Sequence, residues 1–299
     1  LLAICGSTNG IIHLTAIAGR LGIKLDLDRL DALGRDTPVL LDLKPSGMYY
    51  MEDFHKAGGM PALLRELRPL LHLDALTVTG RSLGEEMDRA PAAFAQEVIR
   101  PYDHPIYPQG GIAVLRGNLA PNGALIKQSA ADPKLFEREG RAVVFSSLDD
   151  LAARIDSPEL DVTADDFLVL QNGGPKGGYA MPEAGYLPIP TKLSRAGVKD
   201  MVRISDARMS GTAFGAIVLH VSPEAAIGGP LALVQNGDRI RLSVSGRKLE
   251  LLVDEAELAR RRAAYKPRVV RAERGYAKLY MNSVLQAEDG CDFDFLRKA

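Results

Sequence analysis

The chain changes texture once, and that change limits its architecture more than any other feature. Residues 101–111 hold Pro101, Pro105 and Pro108 and end on Gly110-Gly111. Proline removes a backbone donor and glycine weakens regular structure, so this stretch reads as a boundary between two parts. Before it, helical spacing dominates. Ile11, Ile12, Leu14, Ile17, Ala18 and Leu21 predict one helix behind a Ser7-Thr8-Asn9 cap, and 28–33, 51–57 and 61–71 predict others. Runs 38–43 and 75–78 are strand candidates, and Ser82 with Glu85 forms a capping box. Strands alternating with helices predict an α/β layer over 1–105.

Beyond the boundary, short β-rich runs follow one another: 112–115, 124–126, 142–145, 167–170, 201–204, 216–221, 231–234, 240–244 and 249–253. Gly, Pro and Asn turns separate them, Gly117 to Gly123 being one. Residues 106–299 are therefore expected to form a mainly β barrel or sandwich, with helices at 255–265 and 275–285.

Composition excludes several classes. A formal net charge of -1 gives no global basic field for nucleic acid. No run approaches the roughly 20 apolar residues that span a bilayer. The two cysteines, Cys5 and Cys291, supply no disulfide framework, which fits a reducing cytoplasm. The chain opens without an initiator Met, inside an apolar run leading into Gly6-Ser7-Thr8-Asn9. That opening predicts a piece of a longer protein.

Two segments carry the most chemical information. Gly173-Gly174-Pro175-Lys176-Gly177-Gly178 is a glycine-rich loop that leads to Met181-Pro182-Glu183. It resembles a phosphate cradle, although Lys176 is followed by glycine rather than Ser or Thr; a plain flexible loop is the other reading. Glu183 suits a hard cation such as Mg²⁺ and equally a helix start behind Pro182. The second segment is Ser205-Asp206-Ala207-Arg208-Met209-Ser210-Gly211-Thr212. A serine hydroxyl becomes a base or nucleophile only when a cation, a base or backbone donors lower its pKa. Ser210 reads either as such a group or as a turn cap.

Other motifs read more simply. Glu52-Asp53-Phe54-His55 resembles a metal cluster on paper, but adjacent helical residues point apart. Donors at Gly6 to Asn9 suit an anion or an ordinary helix cap, and His13 reads as structural. Arg260-Arg261-Arg262 reads as a solvated helix face. Cys5 reads as a buried thiol rather than a soft metal ligand, and nothing marks Cys291 as reactive.

The segments GSTNGIIHLTAIAGRLGI, LKPSGMYYMEDFHKAGG, RGNLAPNGALIK, GPKGGYAMPE, DMVRISDARMSGT and HVSPEAAIGGPLALVQNGD run in order from residue 6 to 238. Weaker echoes follow in ELARRR and CDFDFL. This set resembles the family of dihydroxy-acid dehydratase, phosphogluconate dehydratase and the sugar-acid (arabinonate, xylonate) dehydratases, with the sugar-acid branch nearest. The resemblance implies a hydro-lyase converting a 2,3-dihydroxy acid to a 2-keto acid with an iron–sulfur cluster (2Fe-2S) and Mg²⁺.

It further implies Ser210 as the alkoxide base, Glu183 as a Mg²⁺ ligand and Thr212 as a substrate contact. Residues 1–105 would end an α/β cofactor-binding domain, and 106–299 would be an aconitase-like swivelling barrel. A cytoplasmic homodimer or homotetramer is expected. The family's three cluster cysteines match nothing here, since Cys5 stands where the family has glycine, so no cluster ligand is expected in this chain. Tyr179-Ala180 replaces the family's Pro-Gly. The chain alone is expected to be inactive, and the competing expectation is a catalytically silent binding or assembly module.

Overall fold

A computed structural model describes residues 1–90, 92, 94–178, 181, 187–210, 213–267 and 272–298. The chain divides into two compact units, Leu1–Gly6 with Ala32–Gly111 and Ser7–Asp31 with Ile112–Ala299. In chain order the helices are α1 (Asn9–Arg20), α2 (Leu27–Asp36), α3 (Met51–Lys56), α4 (Gly59–Glu66), α5 (Leu83–Asp88), α6 (Leu148–Arg154), α7 (Thr191–Arg195), α8 (Glu255–Ala264) and α9 (Gly275–Ser283). Among the described residues, no helix is long and apolar enough to cross a membrane.

The second unit is built on a closed barrel, as the β-rich half of the sequence predicts. Its strands are β1 (Ala113–Gly117), β2 (Ala120–Ile126), β3 (Glu137–Phe145), β4 (Phe167–Leu170), β5 (Arg203–Ser205), β6 (Ile217–Ser222), β7 (Arg239–Ser243) and β8 (Lys248–Leu251). Around the barrel they run β1-β2-β6-β5-β4-β3-β7-β8. The β3–β4, β4–β5 and β5–β6 pairs are parallel, and β1 meets β8 in parallel through Arg116 and Lys248. The remaining pairs are antiparallel, so the barrel is mixed.

Two-residue periodicity explains where each side chain goes. Ala142 and Val144 of β3 and Phe167 and Val169 of β4 join one apolar cluster with Ile204, Val218, Ile240 and Leu249. Their alternates, Val143, Phe145, Leu168 and Leu170, pack in a second cluster with Leu151 of α6. Both faces of β4 are therefore covered, which is why it reads as a continuous apolar run. The β1–β2 hairpin needs glycine at Gly117, where φ is +154° and a Cβ would fall on the Leu249 carbonyl oxygen of β8.

Three expected strands do not form. Residues 38–43 make only isolated bridges, Val39 to Tyr107, Leu41 to Ile99 and Leu43 to Tyr49. Their backbone groups are satisfied one at a time by irregular chain, as where Leu40 N–H donates to Ala3 C=O and Asp42 N–H to Val98 C=O. The side chains still build a core of Leu40, Leu41, Phe54, Leu63, Val98 and Ile99. Residues 75–78 make a single bridge from Leu76 to Ser82, and Leu76 and Val78 are exposed. Residues 230–233 form a 3₁₀ turn because Pro230 starts it and Gln171 Nε2 donates to the carbonyls of Leu231 and Val234.

Local signals elsewhere hold. Ser82 Oγ accepts from Glu85 N–H at 3.2 Å, and the Glu85 carboxylate accepts from Ser82 N–H at 2.7 Å. Arg261 departs from the solvated face expected for 260–262. Its side chain is 10% exposed and pairs with Asp238 and Glu257.

A buried ion pair fixes the lead-in to β5 and β6. The Asp200 carboxylate accepts from Ala216 N–H, Met201 N–H and Asp132 N–H and pairs with Arg203 at 3.1 Å. Arg203 also donates to the carbonyls of Leu187 and Phe214. Removing one partner of a buried pair leaves the other charge uncompensated. Asp200→Ala is expected to lower unfolding free energy by about 3–5 kcal/mol, read from urea denaturation. A loss of under about 1 kcal/mol would show that the pair is not structural.

Candidate active site

Parallel neighbours end on the same rim of a barrel, and β4, β5 and β6 are consecutive parallel neighbours. From that rim β4 runs into the glycine-rich loop, β5 into the Asp206 turn and β6 into Pro223-Glu224. The fully buried Asp206 carboxylate joins all three: Oδ1 accepts from Gly173 N–H at 2.8 Å and Oδ2 from Ala225 N–H at 2.8 Å.

Glu224, also buried, closes on the loop itself. Its carboxylate accepts from Lys176 N–H at 2.8 and 2.9 Å and from Gly177 N–H at 3.0 Å. Gln286 Nε2 donates to it at 2.6 Å, while Glu224 N–H donates to Gln286 Oε1 at 3.0 Å. A Cβ on Gly174 would lie 2.5 Å from Glu224 Oε2, so only glycine lets the loop approach this closely. The phosphate-cradle reading of 173–178 is thereby corrected. The cradle exists, but an internal carboxylate fills it.

Neither carboxylate has a cationic partner among these contacts. Burial pushes Glu224 up to about 7 and Asp206 up to about 6, outweighing the donors that favour the charged forms.

Ser210 lies in the crossover between β5 and β6, exposed, in a cleft of about 550 Å³. Ser194, Lys199, Arg203, Met209, Ala213 and Phe214 share its walls, Arg203 being paired with Asp200. The turn is held from two sides. Ser210 C=O accepts from Ala213 N–H at 2.9 Å, and Met209 C=O accepts from Asn9 Nδ2 of α1 at 3.0 Å. Asn9 thus cross-braces the turn, and Ser7 Oγ accepts from Asn9 N–H as a local cap.

Arg208 then ties the two informative segments together, its Nε donating to Met181 C=O at 2.9 Å. Met181 is buried with Ile12, Ala287 and Cys291, and the Cys291 thiol meets its sulfur at 3.4 Å. Glu183, Thr212 and Tyr179-Ala180 lie outside the described residues. What the structure describes is that the chain two residues before Glu183 and the chain two residues before Ser210 are in direct contact.

Residues 97–291 match the dihydroxy-acid/6-phosphogluconate dehydratase C-terminal family, and residues 1–86 match its N-terminal counterpart. The chain belongs to the dihydroxy-acid/6-phosphogluconate dehydratase family. It is 52% identical over 303 residues to an L-arabonate dehydratase of Azospirillum brasilense, covering 98% of this chain and 52% of that protein. It is 51% identical over 299 residues to a 6-deoxy-6-sulfo-D-gluconate dehydratase of Pseudomonas putida, covering 99% and 52%. A dihydroxy-acid dehydratase of Ignicoccus hospitalis is 43% identical over 292 residues, covering 97% and 52%. The chain spans about half the length of these curated relatives.

In this dehydratase-family chain, the sequence reading missed Asp206, Glu224 and His220 as organisers of the site. His220 sits at a bulge of β6, where Gly123 and Leu125 of β2 face Ser222 and Leu219. Its φ is +55°, its N–H donates to Ala207 C=O, and its buried ring nitrogens have no hydrogen-bond partner. The other candidates have local partners or exposure of their own. His13 is exposed, Glu52 pairs with Lys56, and Asp53 caps the Tyr50 N–H. Among the described residues, no group of three or more His, Cys, Asp or Glu side chains is placed to hold a metal ion.

Burial, reinforced by the nearby Arg208 charge, depresses His220 to about 3, so the folded protein keeps it neutral. An unfolded His220 takes a proton near pH 6.5. Stability from the neutral ring is therefore complete above about pH 6.5 and is lost as the pH falls toward 3. His220→Asn is expected to flatten the acid limb of unfolding free energy between pH 6.5 and 4 by up to about 1.4 kcal/mol per pH unit. Parallel curves for wild type and variant over that range would refute the assignment.

Proposed function

We propose that this chain supplies the base and one metal ligand of a hydro-lyase that dehydrates a 2,3-dihydroxy carboxylic acid, of the sugar-acid or branched dihydroxy-acid class, to a 2-keto acid. The observation that carries this reading is the Arg208–Met181 contact, which joins the Ser210 turn to the segment leading into Glu183. The names of the relatives above fit the same chemistry.

In the proposed reaction Ser210, as its alkoxide, removes the proton from C2 of the substrate. The C2–H electron pair forms the C2–C3 double bond as the C3 hydroxyl leaves, and with a proton it becomes water. The resulting enol tautomerises to the keto acid. Lys199, on the same cleft, favours both the alkoxide and the substrate carboxylate. Glu183 would hold Mg²⁺, which when bound supplies positive charge against the carboxylate and C2 hydroxyl. Thr212 would contact the substrate.

The iron–sulfur cluster that the family implies does not fit the residues of this chain. The chain has two cysteines, Cys5 and Cys291, where the family's cluster takes three, and neither matches a cluster position. The cluster, taken as 2Fe-2S, and the other Mg²⁺ ligands would come from outside these residues. We further propose that 1–105 is the end of the α/β cofactor-binding domain, that 106–299 is the barrel domain, and that the protein works as a cytoplasmic homodimer or homotetramer.

In the intact enzyme, Ser210→Ala is expected to cut turnover of pentonates, hexonates or branched dihydroxy acids by about 10²–10⁴-fold, with cluster absorbance and Mg²⁺ affinity kept. Glu183→Gln is expected to raise the Mg²⁺ requirement instead. Near-normal turnover in Ser210→Ala would remove it as the base. A full-length protein free of iron and sulfide would favour a silent assembly module.

A further inference from the structure

We propose that Glu224 is a positioning residue: its carboxylate is a built-in acceptor that holds the glycine-rich loop, through Lys176 and Gly177, ahead of Glu183 in the sequence. This rests on the reading of Glu183 as a metal ligand.

The loop is tethered by its backbone, not its side chains. Lys176 and Gly177 N–H both point at Glu224, and Gly173 N–H points at Asp206. Glycine at 174 admits the carboxylate to van der Waals distance of the chain. Glu224 is itself oriented by the two-way exchange with Gln286, a residue just after α9. Downstream, Met181 is fixed at its carbonyl by Arg208 and at its sulfur by Cys291. In sequence, Glu183 follows the second anchor by two residues. A buried carboxylate whose bonds go to loop amides and one glutamine acts on the reaction only through that loop.

The test uses the intact protein with Glu224→Ala, Glu224→Gln and Glu183→Gln. In Glu224→Ala, amide exchange at Lys176 and Gly177 is expected to accelerate by about tenfold or more, while β3 and β4 amides keep their protection. Mg²⁺ affinity, measured by titration with the metal alone, is expected to fall by a comparable factor. Sodium formate, a carboxylate small enough to refill the nest, should restore both, and chloride at equal ionic strength should not. Glu224→Gln, which keeps one acceptor, should lie between.

Glu183→Gln should weaken Mg²⁺ binding with loop exchange unchanged. A wild-type protein that binds no Mg²⁺ would end the Glu183 reading, while loop exchange and formate rescue would still decide the anchor. Unchanged loop exchange in Glu224→Ala, equal acceleration in the barrel strands, rescue by chloride, or a loosened loop with Mg²⁺ affinity intact would each overturn the proposal.

Discussion

Everything at the candidate site follows from the parallel run of β4, β5 and β6. Antiparallel neighbours would send successive connections to opposite rims. Parallel neighbours send them to the same one, at the cost of a crossover for each return. The glycine-rich loop, the Asp206 turn and Glu224 therefore start within reach of one another despite their distance along the sequence. Among its described residues the crossover between β5 and β6 has no helix, which leaves Ser210 in irregular chain, braced by Asn9, Ala213 and the Arg203–Asp200 pair.

The barrel holds its buried carboxylates in two different ways. Asp200 faces a guanidinium and three backbone amides, so its charge is balanced and its removal exposes another. Asp206 and Glu224 face amides and a glutamine side chain, and each raises the cost of charging the other. Backbone donors cannot leave as a lysine side chain can, so this arrangement trades electrostatic balance for fixed geometry. That trade suits a loop whose position matters more than its stability.

Much of the barrel was legible because its signal is local. Short apolar runs marked β3 and β4, and the Gly117 to Gly123 segment marked the β1–β2 hairpin, although β2 already begins at Ala120. The Ser82 capping box needs only four residues. What failed depended on partners. Residues 38–43 have strand composition, yet their hydrogen bonds go to Ala3, Val98 and Tyr107 in irregular chain. Ala232 and its neighbours read as strand until Pro230 and the Gln171 side chain are placed beside them. Glycines 173 to 178 announced a close approach to an anion but could not say whose. The answer, Glu224, lies far along the sequence and is brought near by topology alone. His220 escaped notice because a bulge, which no composition signals, buries its ring.

Filling the loop's donors from within narrows the chemistry left to the cleft. Under the proposed function, a substrate anion would find the Lys176 and Gly177 amides already engaged by Glu224 and would need positive charge from elsewhere. The cleft at Ser210 offers that charge from Lys199, with Arg203 behind it already balanced by Asp200. A base that must become an alkoxide gains from a nearby cation and loses from a nearby carboxylate. Glu224 and Asp206 spend their acceptor oxygens on loop and turn amides and on Gln286, and neither lines the cleft at Ser210.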